Sequence, residues 1–360
     1  MNRTFIIAEA GVNHNGSIDL AKKLIEAAAD AGADAVKFQT FKTEKLATPH
    51  APKAQYQRKE TASEESQFEM LKKLELDIDT HYKLKEYARQ KGIMFLSTPF
   101  DEESALMLIN ELKLPMIKIS SGDLTNAPLL LKIAKTDIPI ILSTGMADLE
   151  EIEFALKVVA FGYINKRTPL SSYEINQSFD YHIAKPILRE KVTLLHCTTE
   201  YPASISDINL KSIQSMYSKF DIKTGYSDHT IGIHIPVAAV AMGATVIEKH
   251  FTLDREMPGP DHKSSLEPDQ LKEMVLAIRD IEKALGTGVK KPVPSELKNR
   301  LVARKSIVAV DHISKGEIFT SRNIGVKRPG NGLPPSFYWD LIGKVSDSNY
   351  EINQPIKQIE

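Results

Sequence analysis

Short apolar runs recur along the first 285 residues, and each stops abruptly at polar or ionisable side chains. The run over 5–8 stops at Glu9, that over 35–36 at Lys37 and Gln39, and that over 93–96 at Ser97 and Thr98. The run over 116–117 stops at Lys118, Ser120 and Ser121, and that over 139–142 at Ser143 and Thr144. The runs over 192–195, 222–226 and 244–247 stop at His196, Ser227 and Glu248. Helical spacing fills the gaps, over 18–31, 67–74, 80–91, 103–111, 126–135, 149–160, 209–218, 233–242 and 268–285, with Ser17 placed to cap the first. Strand-then-helix repetition predicts parallel strands joined by right-handed crossovers. Eight such units predict an α/β fold closed as a (β/α)8 TIM barrel, which gathers the carboxyl ends of its strands at one mouth. An open doubly wound sheet is the alternative, but no Gly-x-Gly-x-x-Gly follows the first strand.

Two stretches depart from this rhythm. Residues 162–191 are polar, mixed in charge and contain Pro169 and Pro186. They predict a surface insertion at the start of the sixth strand, on the face opposite the mouth. After the barrel domain, 1–285, Gly286, Gly288, Pro292 and Pro294 mark a linker over 286–302. Residues 303–360 then carry short apolar segments over 306–310, 317–319, 324–326 and 341–345, separated by glycines and prolines. This predicts a small C-terminal β-rich domain, marginal as an isolated core.

Composition narrows the partners. Lys+Arg 46 against Asp+Glu 47 gives a formal charge of −1, so no basic face is expected for nucleic acid or an anionic membrane. No apolar stretch approaches the ~20 residues that span a bilayer, and the first residues lack the layout of a signal peptide. The single cysteine, Cys197, excludes an intramolecular disulfide and suits a reducing, cytoplasmic setting.

The strand ends carry the candidate chemistry. His229 and His250 follow neighbouring strands, about 4.8 Å apart in a sheet, so one metal ion can join them. Two imidazoles completed by water and substrate oxygen suit a six-coordinate divalent ion, Mn²⁺ first, with Mg²⁺ or Co²⁺ as options. Lys37, Lys118, Thr98, Ser121, Ser143 and Ser227 combine cations and hydroxyl donors as a phosphate requires. The alternative for the lysines is pairing with Glu9, Glu248 or Asp228. Glu9, Asp123, Asp228, Glu248 and Asp261 offer carboxylates for proton transfer, and spacing does not select among them. His14 fits a turn cap and Cys197 a buried, inert thiol.

These segments together resemble the sialic acid synthase family, the phosphoenolpyruvate-dependent nonulosonate synthases. The resemblance rests on Ile7-Ala-Glu-Ala-Gly-Val-Asn-His-Asn-Gly16, Val36-Lys-Phe-Gln39, Ser97-Thr-Pro-Phe100, Lys118-Ile-Ser-Ser-Gly122 and Leu142-Ser-Thr-Gly-Met146. It continues through Leu195-His-Cys-Thr-Thr-Glu-Tyr-Pro202, Gly225-Tyr-Ser-Asp-His-Thr230, Glu248-Lys-His-Phe-Thr252 and Pro258-Gly-Pro-Asp261. Val326-Lys-Arg-Pro-Gly-Asn-Gly332 resembles the family's C-terminal antifreeze-like (SAF) domain.

The resemblance implies condensation of phosphoenolpyruvate with an N-acylated mannosamine-type sugar to a nine-carbon α-keto acid, with phosphate leaving by C–O cleavage. It implies His229 and His250 as metal ligands and places phosphoenolpyruvate on Lys37, Thr98, Lys118, Ser121, Ser143 and Ser227. The acyl sugar would meet Gln39, Asp123, Tyr201 and Asp261. Arg328 would reach in from a second subunit of a domain-swapped homodimer. Glu9 is the candidate for guiding the proton or the water. Asp123 departs from the family's more frequent Glu, and Thr199 stands where several members have Asn. The product implied is N-acetylneuraminate or N,N'-diacetyllegionaminate. Rival readings are another phosphoenolpyruvate-dependent aldose synthase, a metal-dependent hydrolase and a non-catalytic carbohydrate-binding protein.

Overall fold

The computed structural model describes residues 3–54, 57–58, 61 and 65–357. It divides into two compact units, Met1–Thr287 and Gly288–Glu360.

The first unit is a parallel (β/α)8 barrel. Its strands are β1 Phe5–Gly11, β2 Ala35–Thr40, β3 Met94–Pro99, β4 Ile117–Ile119, β5 Ile140–Ser143, β6 Val192–Cys197, β7 Lys223–Asp228 and β8 Val246–His250. Hydrogen bonding runs β3-β2-β1-β8-β7-β6-β5-β4, and β3 lies against β4 to close the ring. Every pairing is parallel, with Glu9 opposite His250 and Ser227 opposite Glu248.

Helices form an outer layer because each has one apolar stripe to bury. Ile18–Asp30 buries Ala21, Leu24, Ile25 and Ala28, and Ser17 Oγ accepts from Leu20 N at its start. Each fully buried leucine or isoleucine there contributes ~1.5–3 kcal/mol. Pro268–Leu285 buries Leu271, Met274, Val275 and Ile278 and opens on a proline, whose missing N–H costs nothing in a first turn.

Inside the barrel the strand period of two separates structure from chemistry. Ile7, Ala35, Leu96, Ile141, Leu195 and Val246 form a closed apolar cluster. Two residues further along the same strands stand Glu9, Lys37, Thr98, Ser143, Cys197 and Glu248. Inward-pointing side chains of a barrel stack in layers. The apolar layer is therefore the floor, and the next is the lining of the mouth.

The 162–191 stretch differs from its expected form. The helix Leu149–Asn165 runs through its beginning, and Ser172–Gln177 and Tyr181–Lys191 are helices too. Ile175, Ala184 and Leu188 are buried, and Ser171 and Asp180 cap the two starts. Polar composition concealed a sparse apolar stripe, and Pro186 sits inside the last helix.

In the second unit, β9 Ser306–Ala309 pairs antiparallel with β10 Ile324–Lys327, and bridges join Val308 to Pro355, Ile313 to Tyr350 and Ile318 to Val345. Ile307, Phe319, Ile324, Tyr350 and Ile356 fill its own small core. The segment read as a linker, 286–302, holds all but the last residue of the helix Pro294–Ala303, which belongs to this unit.

Candidate active site

The barrel mouth opens on a cavity of about 480 Å³. Glu9, Lys37, Gln39, Thr98, Lys118, Ser121, Ser143, Tyr201, Ser227, His229, His250 and Asp261 all line it. Residues from every strand end thus meet in one volume, within the usual size range of ligand pockets. Met70, Leu71 and Leu74 add an apolar wall on the β2 side.

Both lysines already have carboxylate partners. Lys37 Nζ lies 2.6 Å from Glu9 Oε2 and 3.7 Å from Glu248 Oε2, and it donates to Thr98 Oγ1 at 2.7 Å. Lys118 Nζ lies 3.4 Å from Glu248 Oε1. Glu248, one of the carboxylates offered as partners for the lysines, is the hub, and Ser227 Oγ donates to it at 2.8 Å. Burial pushes its carboxyl up, but Lys118 and Lys37 outweigh that and hold it at about 2. Burial prevails at Glu9, raising it to about 7 against the pull of Lys37. Burial would lower Lys37, yet Glu248 and Glu9 raise it, whereas burial prevails at Lys118 and lowers it. Two lysines therefore face one firm anion, Glu248, and a carboxylate half-protonated near pH 7. An anionic ligand meets a surplus of positive charge. Strand parity places Glu248 on the same inward face as His250.

The same parity removes Asp228. With Lys249 it points away from the mouth, where Lys249 Nζ, Tyr226 Oη and the Thr230 hydroxyl all donate to it. Its charge is spent on structure. Asp123 stands just outside the lining: it accepts from Ser120 Oγ at 2.8 Å and Asn126 Nδ2 at 3.0 Å, beside Ser121 and Gly122 of the cavity wall. A short carboxylate just past β4 closes its own turn before it can reach the mouth. Arg328 lies exposed in the second unit, its Nε donating to Ala303 O at 2.9 Å. His14 caps the turn as expected, accepting from Gly16 N at 3.0 Å.

The cavity also holds buried polar groups without partners. Ser143 Oγ, Thr199 Oγ1 and His250 Nδ1 are buried without hydrogen bonds, and all three residues line the cavity. Leaving such a group unmade costs ~1–3 kcal/mol. Gly145 leaves room for Thr199 and Ser121 to approach. A Cβ there would stand 2.2 Å from Thr199 Oγ1 and 2.9 Å from Ser121 Oγ. Cys197 contacts Ser121 Oγ at 3.0 Å, and burial raises its thiol pKa, so it stays protonated.

The two histidines fit a divalent ion. Their ring centroids are 5.8 Å apart. Burial lowers His229 to about 4 and His250 well below its ordinary value, so both imidazoles are neutral, as a metal ligand must be. His229 Nδ1–H donates to Thr198 O at 2.6 Å, which leaves the Nε2 lone pair unspent. Tyr201 packs on His229, centroids 4.1 Å apart, and meets His250 edge-on. Among the described residues no cluster of three or more His, Cys, Asp or Glu forms a metal cage, so water and substrate would complete the shell. Asp261 is raised to about 6 by burial.

Comparison with known proteins agrees with this geometry. Residues 24–290 match the NeuB family and 304–358 the SAF domain. The chain is 52% identical to the N,N'-diacetyllegionaminic acid synthase of Campylobacter jejuni over 99% of its own length and 100% of that protein. It is 46% identical to the Legionella pneumophila enzyme of the same name, covering 96% and 91%. The solved N-acetylneuraminic acid synthetase of Leptospira borgpetersenii superposes with a TM-score of 0.66 at 36% identity, covering 83% of this chain and 90% of that one. The chain is an enzyme of the NeuB family, a nonulosonic acid synthase with a SAF domain after its barrel.

Proposed function

We propose that this synthase condenses phosphoenolpyruvate with a 2,4-diacetamido-trideoxymannose to give N,N'-diacetyllegionaminate. One observation carries the condensation: two lysines, unpartnered hydroxyls and two neutral imidazoles share the mouth of one barrel. The names of the two relatives at 52% and 46% identity favour the diacetamido sugar over N-acetylmannosamine.

Lys37 and Lys118 hold the phosphate and carboxylate of phosphoenolpyruvate, with Thr98, Ser121, Ser143 and Ser227 donating hydrogen bonds. Gln39, Tyr201 and Asp261 hold the acyl sugar. His229 and His250 would hold a divalent ion, Mn²⁺ first, which when bound supplies Lewis acidity to the sugar aldehyde. The enol double bond supplies the electron pair that joins its C3 to the aldehyde carbon, and the aldehyde oxygen takes a proton. Water then adds to the oxocarbenium-like C2. The tetrahedral adduct collapses to the keto acid and expels phosphate with its bridging oxygen. Glu9, half-protonated near neutrality, suits the proton or water step. Arg328 would contact the sugar's acyl group from the second subunit of a domain-swapped homodimer.

The test is incubation with phosphoenolpyruvate, Mn²⁺ and each candidate sugar, with mass analysis of the product. A diacetylated nine-carbon acid is expected. Turnover of N-acetylmannosamine alone would overturn the substrate assignment.

A further inference from the structure

The Asn13-His-Asn-Gly16 motif has no role in the scheme above, yet its two amides bind one loop. That loop leaves β8 and runs from Phe251 to Leu266, whose backbones bridge at its base. Asp261 stands within it. Asn13 Nδ2 donates to Phe251 O at 2.8 Å and to Ser265 Oγ at 3.0 Å. Ser265 Oγ in turn donates to the carbonyl of Asp261 at 2.6 Å. Asn15 Nδ2 donates to Pro258 O at 2.9 Å.

His262 completes the attachment. Because Asn15 Nδ2 is committed to a carbonyl, Asn15 Oδ1 is an acceptor, and His262 Nε2 donates to it at 3.1 Å. His262 Nδ1 then accepts from Thr252 Oγ1 at 2.7 Å. The neutral imidazole thus ties the β1 turn to the start of its own loop. Packing enforces the arrangement. Gly259 has φ +151, and a Cβ there would lie 2.7 Å from His262 Cδ2 and 2.9 Å from Asn15 Oδ1. The loop crosses directly beneath these two side chains.

We propose that Asn13, Asn15 and His262 are positioning residues that clamp the Asp261 loop against the turn after β1, holding its carboxylate in place for the acyl sugar. The kinetic part rests on the role given to Asp261 above. The clamp itself is tested without activity.

In full-length Asn15→Ala, amide exchange over 252–265 should accelerate about tenfold, the scale of one or two hydrogen bonds, while the other barrel segments keep their rates. Sugar kcat/KM should fall about tenfold with the phosphoenolpyruvate KM unchanged. In an Asp261→Ala background the same substitution should cause no further loss, because its effect runs through that carboxylate. Unchanged exchange in Asn15→Ala overturns the clamp, and an additive kinetic loss overturns its action through Asp261. If Asp261→Ala alone leaves sugar use intact, the functional reading of Asp261 fails, and the exchange result still decides the clamp. Should Asn15→Ala not fold, His262→Gln carries the same measurements.

Discussion

Lys118 and Glu248 meet 3.4 Å apart although β4 and β8 lie on opposite sides of the barrel. The pair therefore crosses the mouth. Glu248 also serves Lys37, so one carboxylate offsets two buried cations. Removing one partner of a buried pair typically costs ~3–5 kcal/mol, because the other charge is left uncompensated. Glu248→Gln is accordingly expected to lower the unfolding free energy by about that much. A loss below ~1 kcal/mol in denaturant titration would show that the lysines do not depend on it.

Lys118 itself should act on phosphoenolpyruvate rather than on the sugar. A charged hydrogen bond contributes ~1.5–3 kcal/mol, so Lys118→Ala should raise the phosphoenolpyruvate KM by roughly ten- to a hundredfold. Steady-state kinetics with each substrate varied in turn decides this. A change confined to the sugar KM would reverse the assignment.

Gly145 gives a steric test of the same pocket. The Cβ of Gly145→Ala would approach Thr199 Oγ1 to 2.2 Å and Cys197 Sγ to 2.8 Å, forcing the wall to shift. Overpacking of this kind costs ~1–3 kcal/mol. We expect a folded but less stable variant with a raised phosphoenolpyruvate KM. Unaltered kinetics would place the anion elsewhere.

Asp261 gives a signed pH dependence. Its folded pKa, about 6, lies above the ordinary 3.8. Below pH 3.8 both folded and unfolded chains hold the proton, and the site costs nothing. As pH rises toward 6 the unfolded chain loses its proton first, so stability falls across that window and the full cost persists at pH 7. Asp261→Asn should therefore stabilise the protein at pH 7 by roughly 2–3 kcal/mol and by much less near pH 3.5, while impairing sugar use. Equal stabilisation at both pH values would contradict the burial argument.

Chelator dialysis should abolish turnover, and Mn²⁺ should restore it. Mn²⁺ should also raise the Tm of the stripped protein, as any ligand of the folded state does. The His229→Ala, His250→Ala double variant should lose both responses. Retained activity of that variant in chelator would sink the metal assignment.

Much of this site can be read along the chain because a parallel barrel converts sequence position into spatial position. Each strand end delivers its side chains to the same mouth, so Lys37, Thr98, Lys118, Ser143 and Ser227 were identifiable before any coordinate. Asp123 was not excluded, because whether a carboxylate reaches the mouth or closes its own turn depends on a few ångströms of local backbone. The helices of 162–191 were concealed for a related reason: three buried residues among polar ones give a weak period.

The sequence by itself determined the order of strands and helices, the apolar floor, the chemistry at each strand end and the family, since these follow from local periodicity and motif spacing. Only the tertiary structure decided which charges meet. Lys118 with Glu248, and Asn15 with His262, are separated by 130 and 247 residues. Burial, charge and hydrogen bonding act through distance in space, and closing the ring is what sets those distances.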